Sequence, residues 1–186
     1  MSAFRWPMRA ARQTVWSGGV IAYPTEAVFG LGCDPLNATA VAKLLAIKQR
    51  DGAKGFILIA ADITQLEPYI DVSDKLRDQL LETWPGPITW VVPAALGVPD
   101  WLTGGRATLA VRITAHPVAQ ALCQATGLAL TSTSANLSSH PPLRSSLAVR
   151  RLLRNKLDYI VPGNVGSHRR PTEIRDALSG KILRAS

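Results

Sequence analysis

Phe56-Ile57-Leu58-Ile59-Ala60 is the stretch on which the fold turns. A short unbroken apolar run after Gly55 is too short for a helix and has no polar alternation, so it reads as a strand covered on both faces. Such a strand requires helices above and below it. The neighbouring sequence supplies them. Ala38 to Ile47 carries Val41, Leu44 and Leu45 at helical spacing behind the N-cap candidate Asn37, and Met8 to Trp16 reads as a helix ended by Gly18-Gly19. Helical segments are expected at 64–69, 73–83, 117–125 (stopped by Gly127) and 147–154, the last rich in arginine. Strands are expected at 20–23, 88–92, 109–113, 128–132 and 159–161, with short extended pieces at 173–175 and 182–184. No repeat or long linker divides the 186 residues, so the expectation is one α/β domain over 1–186 with a twisted, largely parallel or mixed sheet flanked by helices.

Composition agrees. With 47% hydrophobic and 18% charged residues the chain has enough apolar material for a core without disulfides. Cys33 and Cys123 form no C-x-x-C pair, which makes a reducing cytoplasm the expected compartment. The longest apolar run, Phe56 to Ala61, falls far short of the roughly 18 residues of a membrane span, and the N-terminal residues do not read as a signal peptide. The net charge of +8 is unevenly placed: residues 1–93 carry nine basic and nine acidic side chains, residues 94–186 twelve and four. A basic second half suits a polyanion such as RNA or nucleotide phosphate; a solvated basic face accounts for it equally.

Absent motifs narrow the chemistry. There is no phosphate-binding G-x-x-x-x-G-K-[ST], no G-x-G-x-x-G, no G-x-S-x-G and no H-E-x-x-H, and His116, His140 and His168 are isolated in turn-like sequence, so no metal site is expected. Polar residues do gather at strand ends: Thr25-Glu26 after Tyr23-Pro24, Arg112 after Leu109-Ala110-Val111, and Thr131 to Asn136 after Leu128-Ala129-Leu130. These carboxyl ends are expected to converge on one site. Ser132, Ser134 and Asn136 fall at i, i+2 and i+4, which on an extended segment presents two hydroxyls and an amide to one side; a Ser/Thr-rich turn is the other reading. Lys48 and Arg50 would share a pocket if the chain is extended there, and would diverge on a continuing helix, where they would complement the helix dipole. Lys54 adds charge nearby. An inward Arg112 at a sheet end demands an anionic partner.

These segments together resemble the YrdC family. The resemblance spans nearly the whole chain and rests on 22–35 (AYPTEAVFGLGCDP), Lys48-Gln49-Arg50 with Lys54-Gly55, 84–89 (WPGPIT), 109–112 (LAVR), 132–138 (STSANLS) and 171–176 (PTEIRD). It implies a YrdC-like fold with a basic concave face. It also implies a nucleotidyltransferase that joins L-threonine, bicarbonate and ATP into threonylcarbamoyl-adenylate and pyrophosphate. That product feeds N6-threonylcarbamoyladenosine at tRNA position 37, through hand-off to a tRNA threonylcarbamoyl transferase complex. By the same resemblance Lys48 and Arg50 are catalytic, and they bind nucleotide and intermediate together with Ser134 and Asn136. Thr25 and Ser132 lie near threonine, while Arg112 and Thr172 are further ligand-side positions. ATP is a substrate, Mg²⁺ travels with it, and the protein holds no metal of its own. Asp51 stands where the family commonly has Pro, and Ser139 where it commonly has Gly.

The chemistry suits such a lining. Carbamate, triphosphate and pyrophosphate are all anions, for which Lys, Arg and neutral hydroxyls are the matching groups, and no covalent nucleophile is needed. Two alternatives stand beside it: a non-catalytic protein binding double-stranded RNA, tRNA or rRNA precursors through the basic second half, and a carbamoyl-transfer domain like that of hydrogenase-maturation proteins. The latter carry Cys-rich and acylphosphatase-like regions that this sequence lacks.

Overall fold

The computed structural model describes residues 5–137, 140–168 and 170–185. Its nine strands form one mixed sheet: β1 (Ile21–Pro24), β2 (Phe29–Gly32), β3 (Ile57–Ala60), β4 (Ile88–Pro93), β5 (Thr108–Ile113), β6 (Leu130–Ser134), β7 (Tyr159–Ile160), β8 (Glu173–Asp176) and β9 (Ile182–Arg184). The order across the sheet is β7-β1-β2-β6-β3-β5-β4-β8-β9. Only β1 with β7, β3 with β5, and β4 with β8 run parallel; the other neighbours are antiparallel. The expectation of a mixed sheet holds, with antiparallel pairing in the majority. One reason is β2, which sequence reading missed: Phe29-Gly30-Leu31-Gly32 returns directly from β1 as a hairpin partner, with Tyr23 opposite Gly30 and Ile21 opposite Gly32.

Among the described residues six α-helices accompany the sheet: α1 (Arg5–Trp16), α2 (Ala38–Lys48), α3 (Asp74–Leu81), α4 (Asp100–Thr103), α5 (Pro117–Thr126) and α6 (Ser146–Leu153). Asn37 caps α2, its side chain accepting from the Ala40 N–H, and Gly127 ends α5 in the left-handed conformation. The helix expected over 64–69 is instead two one-turn 3-10 segments, Ile63–Gln65 and Glu67–Tyr69. Pro68 stops a longer helix from forming there, since it has no N–H to donate. The four-residue α4 is too short to show a period in sequence.

Strand alternation divides the core into two clusters. Ala22, Leu31, Leu58, Ala60 and Val111 pack with Ala40, Val41 and Leu44 of α2 and with Val149 and Leu153 of α6. Ile21, Tyr23, Ile59 and Leu130 pack with Met8, Ala11 and Val15 of α1 and with Val118, Ala119 and Leu122 of α5. Both faces of β3 are therefore covered as its sequence requires, and Leu58 and Ile59 are fully buried. No described helix is long and apolar enough to cross a membrane. Cys33 and Cys123 are buried free thiols, and burial pushes the Cys33 thiol up to about 11.

Candidate active site

The α1–α5 pair covers only part of its sheet face. Beyond it the same face opens into a cavity of about 320 Å³. Its floor comes from residues of one parity on successive strands: Gly30, Ser132 and Ser134, Ile57, Ala110 and Arg112, with Thr172 and Ile174 at the far side. The registers set Ile57 opposite both Ala110 and Ser132, Ile59 opposite Arg112, and Gly30 opposite Ser134. This corrects the expectation that strand carboxyl ends converge. Because β6 runs antiparallel to β3 while β5 runs parallel to it, the ends of β5 and β6 lie at opposite edges. Period-two alternation on a common face brings Arg112 and the serines together.

Arg50, Lys54, Arg112 and Arg184 put positive charge on the cavity, and among the described residues no Asp or Glu lines it. Arg184, at the end of β9, counted in sequence only as part of the basic second half, although its signal matched that of Arg112: an arginine closing an apolar strand. One of its terminal nitrogens donates to the Thr172 carbonyl at 2.6 Å, fixing the β8–β9 hairpin against the rim.

Lys48 and Arg50 are neither extended together nor on one helix. α2 ends at Lys48, and Gln49 takes the left-handed conformation at φ 49°, so the chain reverses between the two cations. Arg50 then reaches the cavity, donating to Thr133 Oγ1 at 3.1 Å and to the Gly55 carbonyl at 2.8 Å. Gly55 holds φ 63°, and a Cβ there would stand 2.6 Å from the Leu102 carbonyl, so glycine is required. Asp51, in place of proline, caps the following turn through the Ala53 N–H.

Lys48 lies behind the wall. Its ammonium is buried and donates to the Ser134 carbonyl (2.6 Å), the Asn136 carbonyl (2.8 Å) and Asn136 Oδ1 (2.7 Å). Ser134 Oγ also donates to Asn136 Oδ1 at 2.6 Å. Lys48 and Asn136 thus hold the turn that presents Ser134, and neither is among the residues lining the cavity. Burial and then the nearby Arg50 push the Lys48 ammonium down to about 8. Sequence reading grouped Asn136 with the two serines by spacing; it lies past the end of β6, where alternation ceases. Thr133, of the opposite parity, takes the place at the cavity.

Thr25 is buried at the cavity edge and donates to the Val28 carbonyl at 2.7 Å. Thr172 Oγ1 and Thr89 Oγ1 accept from one terminal nitrogen of Arg112 at 2.9 and 3.1 Å. The anionic partner that Arg112 requires is Glu26, which sequence placed among the strand-end polar residues but did not pair with Arg112. The basic second half is dispersed: Arg150 and Arg151 are exposed on α6, Arg175 stacks near Trp90, Arg144 donates to the His168 carbonyl, and Arg184 lines the cavity. Ser139 and Arg169 lie outside the described residues. His116 is buried rather than superficial, its Nε2 lying 3.1 Å from the Asn164 carbonyl, and burial holds its imidazole below the ordinary value. Among the described residues no group of three His, Cys, Asp or Glu could hold a metal.

A mixed sheet whose half-open face presents arginines and hydroxyls, and no carboxylate among the described residues, defines an α/β protein suited to small anionic ligands. A family model for Sua5, YciO and YrdC proteins, described as "Telomere recombination", matches residues 13–186, and the chain belongs to that family. It is 51% identical to the threonylcarbamoyl-AMP synthase of Nitrosococcus oceani over 185 residues, covering 99% of this chain and 100% of that protein. It is 54% identical to the protein of that name from Halorhodospira halophila over 178 residues, covering 95% and 93%. Among solved structures, P. abyssi Sua5 complexed with L-threonine superposes with a TM-score of 0.89 at 30% identity, over 96% of this chain and 54% of that one. The chain therefore spans about half the length of P. abyssi Sua5 and essentially all of the two bacterial proteins.

Proposed function

We propose that this chain joins L-threonine, bicarbonate and ATP to give threonylcarbamoyl-AMP and pyrophosphate, working as one YrdC-like domain over 1–186. The observation that carries the reading is the cavity itself, with Arg50, Lys54, Arg112 and Arg184 around it and no carboxylate among its described residues. Full-length relatives at about half identity bear the name of that activity.

The threonine amine and bicarbonate condense to a carbamate with loss of water. A carbamate oxygen attacks the α-phosphorus of ATP, the bond to the β-phosphate oxygen breaks, and pyrophosphate leaves with the electron pair. Every species in the sequence is anionic. Arg50 and Lys54, with Thr133 and Ser134, serve the phosphates, where positive charge offsets what accumulates on the leaving group. Arg112 with Thr172, Thr25 and Ser132 serves threonine, a buried guanidinium suiting a carboxylate. Lys48 and Asn136 act from behind by fixing Ser134. The rate gain then comes from holding carbamate and α-phosphate in line and from excluding water. Among the described residues the side chains form no carboxylate cage for a divalent ion, and Mg²⁺ would be carried by the ATP phosphates.

The product is passed to a transferase acting on tRNA, and direct contact with RNA falls to exposed arginines such as Arg150 and Arg151. The deciding experiment is pyrophosphate release from ATP by the purified protein, with the adenylate detected by mass. Release that requires both L-threonine and bicarbonate is expected. A folded protein that binds RNA but releases no pyrophosphate would overturn the reading in favour of a non-catalytic RNA-binding protein.

A further inference from the structure

Arg112 is 4% exposed and Glu26 5%, and their side chains meet at 3.3 Å, one terminal guanidinium nitrogen to Glu26 Oε2. The other terminal nitrogen is held by Thr89 and Thr172. The Nε–H has no partner among the described residues. A buried guanidinium so restrained at both terminal nitrogens, with an unused donor and a place on the cavity wall, has one orientation in which to meet a ligand.

Glu26 is itself fixed. Its Oε1 accepts from Thr114 Oγ1 at 2.6 Å, and Thr114 also receives the His116 N–H. From the other side the 164–168 segment presses on its backbone: the Gly166 N–H donates to the Thr25 carbonyl and the His168 N–H to the Glu26 carbonyl. A Cβ on Gly166 would fall 2.6 Å from the Glu26 carbonyl oxygen, so the segment can approach only as glycine. Burial raises the Glu26 carboxyl, but Arg112 and the Thr114 hydroxyl outweigh it and hold the group below its ordinary value, ionised at neutral pH.

We propose that Glu26 is the positioning residue for Arg112: its carboxylate, anchored by Thr114 and the 164–168 segment, aims the guanidinium at the substrate carboxylate without touching substrate itself. Glu26 does not line the cavity, whereas Arg112 does. The anchor at Oε1 and the close approach of Gly166 together fix the direction from which the carboxylate meets the guanidinium. The inference rests on the proposed function for the identity of the ligand, L-threonine.

Three readouts on Glu26→Gln and Thr114→Val test it: thermal unfolding, L-threonine binding by titration calorimetry, and KM for threonine and ATP separately. Gln keeps the shape and the Thr114 contact but not the charge. The expected result for folded Glu26→Gln is a KM for threonine raised roughly tenfold, equivalent to one charge-assisted hydrogen bond, with the KM for ATP within about twofold. Thr114→Val, which loosens Glu26 without altering its charge, should move the threonine KM in the same direction by about two- to threefold. A folded Glu26→Gln with unchanged threonine KM and affinity overturns the proposal, as does an equal rise in both KM values. A wild-type protein that binds threonine but releases no pyrophosphate defeats the catalytic reading alone, and the Glu26 role is then read from the isotherms. A wild-type protein that does not bind threonine overturns both.

Discussion

Along β3, Leu58 and Ala60 point into the packing beneath α2, while Ile57 and Ile59 point to the face shared by α1, α5 and the cavity. The two faces come from the same strands, one residue out of step, yet they do different work. The α2 face is closed with apolar side chains, aromatic as well as aliphatic. The other is closed over Ile21, Ile59 and Leu130 and then changes, to Ser132 two residues along β6 and to Arg112 opposite Ile59 on β5. A sheet can carry an open polar cavity on one face when the opposite face and the neighbouring half are packed well enough to hold the strands in register. Stability and chemistry are thus separated by side-chain parity.

Truncation on the closed face should show this most strongly. Leu58→Ala leaves a cavity at a fully buried site and should cost about 2–5 kcal/mol in chemical denaturation, with the remaining folded fraction keeping its kcat. On the open face Arg50→Ala should do the reverse. It should lose on the order of 2 kcal/mol of transition-state stabilisation in kcat/KM for pyrophosphate release, with a change in unfolding free energy below about 1 kcal/mol. Equal stability losses in the two variants would break the comparison.

A subtler division appears in pH dependence. Lys48 is held near 8 in the folded chain, so between about pH 8 and its ordinary value of 10.5 the unfolded chain holds the proton more tightly. Rising pH through that window therefore favours the fold as far as Lys48 is concerned, while removing the charge that orders the Ser134 turn. The expected outcome is a kcat/KM that falls above about pH 8 without a matching fall in melting temperature, and a Lys48→Arg variant in which that limb moves to higher pH. A stability loss that tracks the activity limb would count against the separation.

Much of the architecture was legible because it follows from local pattern. The apolar run at 56–60, the Asn37 cap and the Gly127 stop were readable in this way. β2 was not, because Phe29-Gly30-Leu31-Gly32 has two glycines and is made a strand by its partners on either side, β1 and β6. In the site, Thr25, Arg50, Arg112, Ser132, Ser134 and Thr172 all line the cavity. Lys48 and Asn136, which the family resemblance put beside the ligand, do not line the cavity; they meet behind Ser134, and the left-handed Gln49 turns the chain between Lys48 and Arg50. No periodicity forecasts a single left-handed residue that is not glycine. The pairing of Glu26 with Arg112 was not legible for a related reason: only folding brings the two together, eighty-six residues apart in sequence.

The sequence by itself determined the alternation of helices and strands, the covering of β3 on both faces and the chemical character of the site, since these depend on side-chain type and short-range spacing. Only the tertiary structure decided that the cavity lies on a sheet face rather than at strand ends, that Arg184 joins it and that Lys48 supports it from behind. Those facts follow from strand direction and register, which are set by packing among residues far apart in the chain, and they put Glu26 where it can steer Arg112.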